Sequence, residues 1–249
     1  MAEFFTVETK NIRKKHGEII YKNGKSEIIE CDEDVPKIPS LAYDKNENIV
    51  SVTLPESIKS IGRYAFSGCK ALTSITLPKG LTEIDEGAFF DCQSLLSIEI
   101  PDSVTHIGEG AFHNCTSLER VKLPSGITYI SKNAFLTCRK LLCIEIPKNV
   151  TSIEKKAFWG CADLTEIKLS EMLEYIGEGA FATCYKVKSI ALPKCVSSID
   201  KGAFETCLFA DVFYGGNKAD WKKIKIKKEG NEILCGKKSD RAEIHYADK

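Results

Sequence analysis

The chain has no excess of charge: 35 lysines and arginines balance 35 aspartates and glutamates across 249 residues. A neutral total argues against strong attraction to nucleic acid or to an anionic membrane. No apolar run approaches the length of a membrane span. Residues 1–10 have neither the basic start nor the apolar stretch of a secretory signal. Two locations stay open: cytosolic if Met1 is the native start, or exported by a signal outside this sequence. Catalytic signatures are missing too. The four histidines are His16, His106, His113 and His245, and no C-x-x-C, H-E-x-x-H, phosphate-loop or G-x-G-x-x-G context occurs. Gly108-Glu109-Gly110 and Gly177-Glu178-Gly179 recur as turn glycines. With no nucleophile–base pair and no metal cage, the expectation is a non-enzymatic protein without metal or cofactor.

What is there is a period. Seven Ala-Phe pairs stand 23 residues apart, from Ala65-Phe66 to Ala203-Phe204. Each is followed at a fixed offset by a cysteine: Cys69, Cys92, Cys115, Cys138, Cys161, Cys184 and Cys207. Strict self-similarity of this length marks a repeat solenoid, in which each unit buries its apolar face against its neighbours. The unit reads L-x-x-I-x-L-P-x-x-[LIV]-x-x-I-x-x-x-A-F-x-x-C-x-x. Its L-x-x-I-x-L segment alternates as a half-buried strand does. Proline then ends the strand because it cannot donate to a ladder. Ser170 takes the place of that proline in one copy, which predicts a looser turn. Phe and Cys, three apart, are expected on one face of a helical or 3₁₀ turn.

Stepping back 23 residues maps Ile29, Cys31, Val35, Ile38, Ala42 and Tyr43 onto the same apolar positions. Residues 26–209 are therefore read as eight copies, the first degenerate. Before them, residues 18–29 read as a hairpin around Asn23-Gly24. Its second strand is expected to be the first solenoid strand, so that residues 1–25 cap the N-terminal edge. After Cys207 the period fails, and residues 210–249 read as a C-terminal cap, since terminal solenoid units are atypical. One elongated domain is the expected count, as a monomer. Lysines and Arg241 make residues 218–241 locally basic, read as a solvated cap edge. Eleven cysteines are mostly explained by position, because buried free Cys behaves as a small hydrophobe. A thiol column suits a reducing compartment. Cys195 and Cys235 fall in a turn and in the cap.

The string I-P-x-x-V-x-x-I-G-x-x-A-F-x-x-C, here from Ile100 to Cys115, closely resembles the BspA-like class of leucine-rich repeats. The tail from Tyr214 through Trp221 to Tyr246 looks like the segment that closes such arrays in bacterial surface proteins. The resemblance implies a leucine-rich repeat right-handed superhelix with a parallel inner sheet on its concave side. It also implies cell-surface or secreted proteins that bind host proteins or glycans and mediate adhesion. A cytosolic protein-interaction module is the alternative.

A binding site would use residues that point out of the inner sheet. Their central row reads Thr53, Thr76, Glu99, Lys122, Glu145, Lys168 and Ala191, an alternating charge ladder extended by Arg120 and Glu166 in the next row. It is either a self-neutralised face or a recognition stripe. Cys143 lies between Arg120 and Glu166, with no reactivity predicted. The residues after each Phe form a second row whose centre is Phe90, His113, Leu136 and Trp159. On the convex side it is either a contact patch or packing between turns.

Overall fold

The computed structural model describes residues 17–29, 36–237 and 241–247. It begins with strands β1 (Gly17–Tyr21) and β2 (Ser26–Ile29) and continues as a β-solenoid in which short and longer strands alternate. The short ones are β3 (Lys37–Ile38), β5 (Ser60–Ile61), β7 (Glu83–Ile84), β9 (His106–Ile107), β11 (Tyr129–Ile130), β13 (Ser152–Ile153), β15 (Tyr175–Ile176), β17 (Ser198–Ile199) and β19 (Lys225–Ile226). The longer ones are β4 (Ile49–Thr53), β6 (Ser74–Thr76), β8 (Ser97–Glu99), β10 (Arg120–Lys122), β12 (Cys143–Glu145), β14 (Glu166–Lys168), β16 (Ser189–Leu192), β18 (Asp211–Tyr214) and β20 (Glu243–Tyr246). Longer strands stack in parallel as a broad ladder, with Ser51 opposite Ser74 and Thr53 opposite Thr76. Each turns its central apolar residue inward, as Ile98 and Ile144 do, and its flanking residues outward.

The narrow ladder of two-residue strands is not foreseen by the sequence reading. Two residues are too few to show alternation, although a buried isoleucine recurs in it at Ile61, Ile84, Ile107 and Ile130. Of the turns and short helical or 3₁₀ segments expected outside the inner sheet, the described repeats have hydrogen-bonded turns. The Cys69 amide does close a turn on the Phe66 carbonyl at 3.2 Å. Between them, however, Gly68 has φ of 69°, and Asp91, Asn114, Thr137, Gly160, Thr183 and Thr206 repeat this left-handed conformation in the other copies. A left-handed residue in every turn stops a right-handed helix from propagating. The turn at Ser170 is not looser either. Its hydroxyl is buried, donates to the Lys148 carbonyl at 2.7 Å and accepts from the Met172 amide at 3.1 Å.

The core is a column. Phe66, Phe89, Phe112, Phe135, Phe158, Phe181 and Phe204 stack with centroids 5.3 to 5.7 Å apart and nearly parallel rings. Tyr43 extends the stack onto Phe66 at 5.1 Å, in the position the period assigns to it. Fully burying one such side chain is worth about 1.5–3 kcal/mol. Beside the rings runs the thiol column, buried and free of disulfides. Each thiol has a partner: Cys115 donates to the Phe89 carbonyl at 3.2 Å, and the other six repeat that bond one turn away. Cysteine thus fills a small apolar site and also supplies a weak donor to a buried carbonyl. Cys31 and Val35 lie outside the described residues.

The N-terminal hairpin pairs differently from the expectation. The turn at Asn23-Gly24 is present, with Gly24 at φ of 77°. But β1, not β2, lies against the first broad strand, antiparallel, with Ile19 opposite Val52. β2 pairs only with the other side of β1, Gly17 facing Ile29. The polar Ser26 and Glu27 of β2 suit an exposed edge, whereas β1, between two strands, sets Ile19 into the core. At the other end, short helices α1 (Lys218–Trp221) and α2 (Glu232–Cys235) separate the last strands. Asn231 is fully buried there. Its side-chain oxygen accepts from the Phe204 amide at 3.1 Å. In the preceding turn the Phe181 amide donates instead to the Ala203 carbonyl of the following repeat, at 2.8 Å. One asparagine thus stands in for the carbonyl of an absent turn, while its amide bonds the Asp200 and Lys227 carbonyls, each at 2.7 Å.

Candidate functional site

The outward side of the broad ladder carries the charged row. Parallel register places Lys122 beside Glu99 and Lys168 beside Glu145, and each lysine bonds its glutamate. The lysine ammoniums are held above their ordinary pKa by the bond to the partner carboxylate, then by its charge. All four side chains are solvent-exposed. Such pairs contribute little stability singly. The four charges therefore form two closed pairs and not one continuous ladder. In the next row Arg120 faces Ser97 and Glu166 faces Cys143. Neither charge finds an ion-pair partner among the described residues, because Cys143 separates them.

The row on the turns is placed between neighbouring turns. Phe90 meets His113 edge-on at 4.7 Å and Tyr64 at 6.4 Å. Phe90, His113, Leu136 and Trp159 are each half-buried. Burial lowers the pKa of His113 below its ordinary value.

The broad face continues into residues the period does not reach. Ala191 stands opposite Phe213, and Phe213 opposite His245. The two rings stack at 4.8 Å, 17° from parallel. The His245 ring is fixed further by a 2.8 Å contact of Nε2 with Asp211 Oδ1. Phe213 remains 49% exposed, although it is a large apolar ring in a strand. Around it lies a groove of about 500 Å³ that includes Glu166, Lys168, Glu171, Ala191, Phe213 and His245. Asp211, Glu243 and His245 also bring one ligating atom each within 4.8 Å of the others, but the histidine nitrogen is already engaged by Asp211. Sequence reasoning reached Glu166, Lys168 and Ala191 and missed Phe213 and His245. The spacing from Ala191 to Phe213 and on to His245 departs from the repeat, so the row could be followed only through the register.

A family model described as the BspA type leucine rich repeat region, in six copies, matches residues 36–165 and 87–210. Among solved structures, a leucine-rich repeat protein of Eubacterium ventriosum is 26% identical with a TM-score of 0.64, over 76% of this chain and 50% of that one. The leucine-rich repeat protein of T. pallidum is 36% identical with a TM-score of 0.57, over 61% of this chain and 71% of that one. A leucine-rich repeat protein of Bacteroides ovatus is 24% identical with a TM-score of 0.60, over 84% of this chain and 65% of that one. The chain thus spans half to two thirds of the length of the Eubacterium and Bacteroides proteins. No curated protein sequence matches it.

Proposed function

Because this chain belongs to the BspA-type leucine-rich repeat family, we propose that it is a non-enzymatic binding scaffold whose broad face recognises a protein ligand at a bacterial surface. The observation that carries this reading is the contrast along that face. Its centre is neutralised by its own pairs, whereas its C-terminal end keeps the exposed Phe213 ring and the carboxylates of Glu166 and Glu171, which have no ion-pair partner among the described residues. Exposed apolar rings rimmed by charge are where interfaces concentrate their binding energy. We read residues 1–25 and 210–249 as the caps of eight repeats at 26–209, a division supported at the C-terminal end by the bonds of Asn231. A cytosolic interaction module is the second reading, favoured by the seven buried free thiols.

The test is binding to a panel of purified extracellular proteins and glycans. Wild type is compared with Phe213→Ala, which removes the exposed ring at the C-terminal end of the broad face, and with Trp159→Ala on the turn row. Binding lost in Phe213→Ala and kept in Trp159→Ala is expected. Loss only with Trp159→Ala moves the site to the turns. Binding only to glycans changes the ligand class.

A further inference from the structure

We propose that the notch over Ala191, between Lys168 and Phe213, is a socket for an arginine side chain of the partner protein; this rests on the broad face being the binding face. Three features of the notch define its occupant. The first is width. Ala191 is an exposed methyl on β16, with β14 and β18 as its neighbouring strands. Parallel strands lie about 4.8 Å apart, so the Lys168 and Phe213 positions stand roughly 9.6 Å apart over a floor one methyl high. That separation leaves room for one flat group stacked on the Phe213 wall.

The second feature is the nature of the walls. One face of the Phe213 ring is covered by the imidazole of His245. The other faces Ala191, too small to cover it, and no further ring meets Phe213 among the described residues. Lys168 contributes its aliphatic stem, because its ammonium is drawn the opposite way, to Glu145 on β12. The open π-face attracts cations, and arginine stacks on such faces better than any other side chain.

The third feature is charge. Along this solenoid, opposite charges at equivalent positions of adjacent turns pair repeatedly: Arg63 with Glu86, Lys132 with Glu109, Lys155 with Glu178 and Lys201 with Glu229. Glu166 breaks the habit, since its neighbours one turn away are Cys143 and Ser189. Glu171 lines the same groove, exposed and likewise without an ion-pair partner among the described residues. Glu166 feels the Lys168 charge without bonding it, so the groove offers a cation two carboxylates that have no ion-pair partner among the described residues. A guanidinium stacked on Phe213 presents its edge N–H groups to carboxylates in a fork that an ammonium does not match. An extended segment lying along the broad face would deliver it.

The socket is tested by titrating isotope-labelled full chain with acetyl-Gly-Arg-Gly-amide and following the Ala191 methyl and Phe213 amide signals. Controls carry citrulline, which keeps the shape without the charge, or replace the peptide with an N-acetyllactosamine oligosaccharide. A saturable shift with the arginine peptide is expected, at least tenfold weaker with citrulline. Glu166→Gln/Glu171→Gln should weaken it at least tenfold. Ala191→Phe, which fills an exposed notch without touching the core, should abolish it. No saturable response to the arginine peptide, equal response to citrulline, response persisting in Ala191→Phe, or response to the sugar alone each overturns the proposal. The broad-face reading fails separately: partner capture that survives Phe213→Ala removes it, whereas a silent notch beside Phe213-dependent capture removes only the socket.

Discussion

The two ends of the stack are closed by opposite means, and the direction of its hydrogen bonds explains why. In the turns, the amides of Tyr64, Phe66 and Gly68 donate to the carbonyls of Glu86, Ala88 and Phe90 in the following repeat. Each turn therefore shows carbonyls toward the N-terminus and amides toward the C-terminus. An under-satisfied carbonyl is tolerated better than an orphaned buried N–H. At the N-terminal end a reversed hairpin strand covers the broad ladder, and Tyr43 covers the ring column. The C-terminal end must supply acceptors. Glu229 gives its carbonyl to the Gly202 amide at 2.8 Å, and Asn231 gives its side chain to Phe204. The middle obeys one rule repeated; the ends obey chemistry particular to the edge each leaves.

The largest effect should come from alkaline pH, and it should distinguish middle from ends. Burial raises every column thiol: Cys69 and Cys207 to about 12, and Cys92, Cys138 and Cys184 well above their ordinary value. A raised folded pKa means that the unfolded chain releases these protons first. The stabilisation is complete below the unfolded thiol pKa near 9 and is lost as pH climbs toward the folded values. The loss per thiol steepens from about 0.7 kcal/mol per pH unit at that pKa toward about 1.4 well above it, and the seven add. Melting under reducing agent should therefore collapse as pH rises above 9, ever more steeply with pH. A flat profile there would mean that the thiols are not held neutral by the fold. Alkylation just below the collapse should reach Cys69 and Cys207 before Cys115.

Next in size is the ring column. Phe112 has a stacked ring on both sides. Phe112→Ala should cost about 3–5 kcal/mol. Phe204 has Phe181 stacked on one side and only the edge of Phe209 on the other. Phe204→Ala should cost less and fray residues 203–235 while the middle stays protected from hydrogen exchange. Equal losses of melting temperature would contradict a core in which each turn depends on its neighbours.

Asn231→Leu isolates the C-terminal closure. Leucine is close in size but leaves the Phe204 amide and the Asp200 and Lys227 carbonyls without the side-chain partner each has now. Orphaning buried polar groups costs about 1–3 kcal/mol each. Fast amide exchange at Phe204, with Phe112 unchanged, is the expected signature. Protection at Phe204 equal to wild type would show that the asparagine is not the acceptor that matters.

The middle was legible because a side chain's fate there depends only on its place in the period. Ile98, Phe112 and Cys115 could be assigned to the core from spacing alone, and they are buried. The parts that were not legible lie where the period gives no rule. The pairing of β1 instead of β2 with β4 lies ahead of the period, so spacing carries no rule for it. Asn231 acts through one side chain, accepting from Phe204 and donating to Asp200 and Lys227, at a position outside the period. The charged row was found, but its division into two pairs depends on which neighbour each lysine reaches. Phe213 and His245 join that row only through register in an aperiodic segment.

The smallest expected effect asks whether repetition alone makes a turn good. The residue two after each Phe is left-handed in every copy, but only Gly68 and Gly160 are glycine there. Thr183 holds φ of 61° with a β-branched side chain, and its hydroxyl makes no hydrogen bond among the described residues. Left-handed geometry costs a residue with a Cβ about 1–2 kcal/mol. Glycine gives back roughly 0.5–1 kcal/mol through the greater freedom of the unfolded chain. Thr183→Gly should therefore stabilise the protein by about 0.5–1 kcal/mol. Thr137 occupies the equivalent position at φ of 57°, but its hydroxyl donates its one hydrogen either to the Leu136 carbonyl at 2.8 Å or to Asn114 Oδ1 at 3.2 Å. Thr137→Gly should thus gain less, and the difference between the two melting shifts measures what that hydrogen bond contributes. If Thr183→Gly instead lowers the melting temperature, the left-handed turn is not strained by threonine. The recurrence of threonine in the later copies would then need a packing cause.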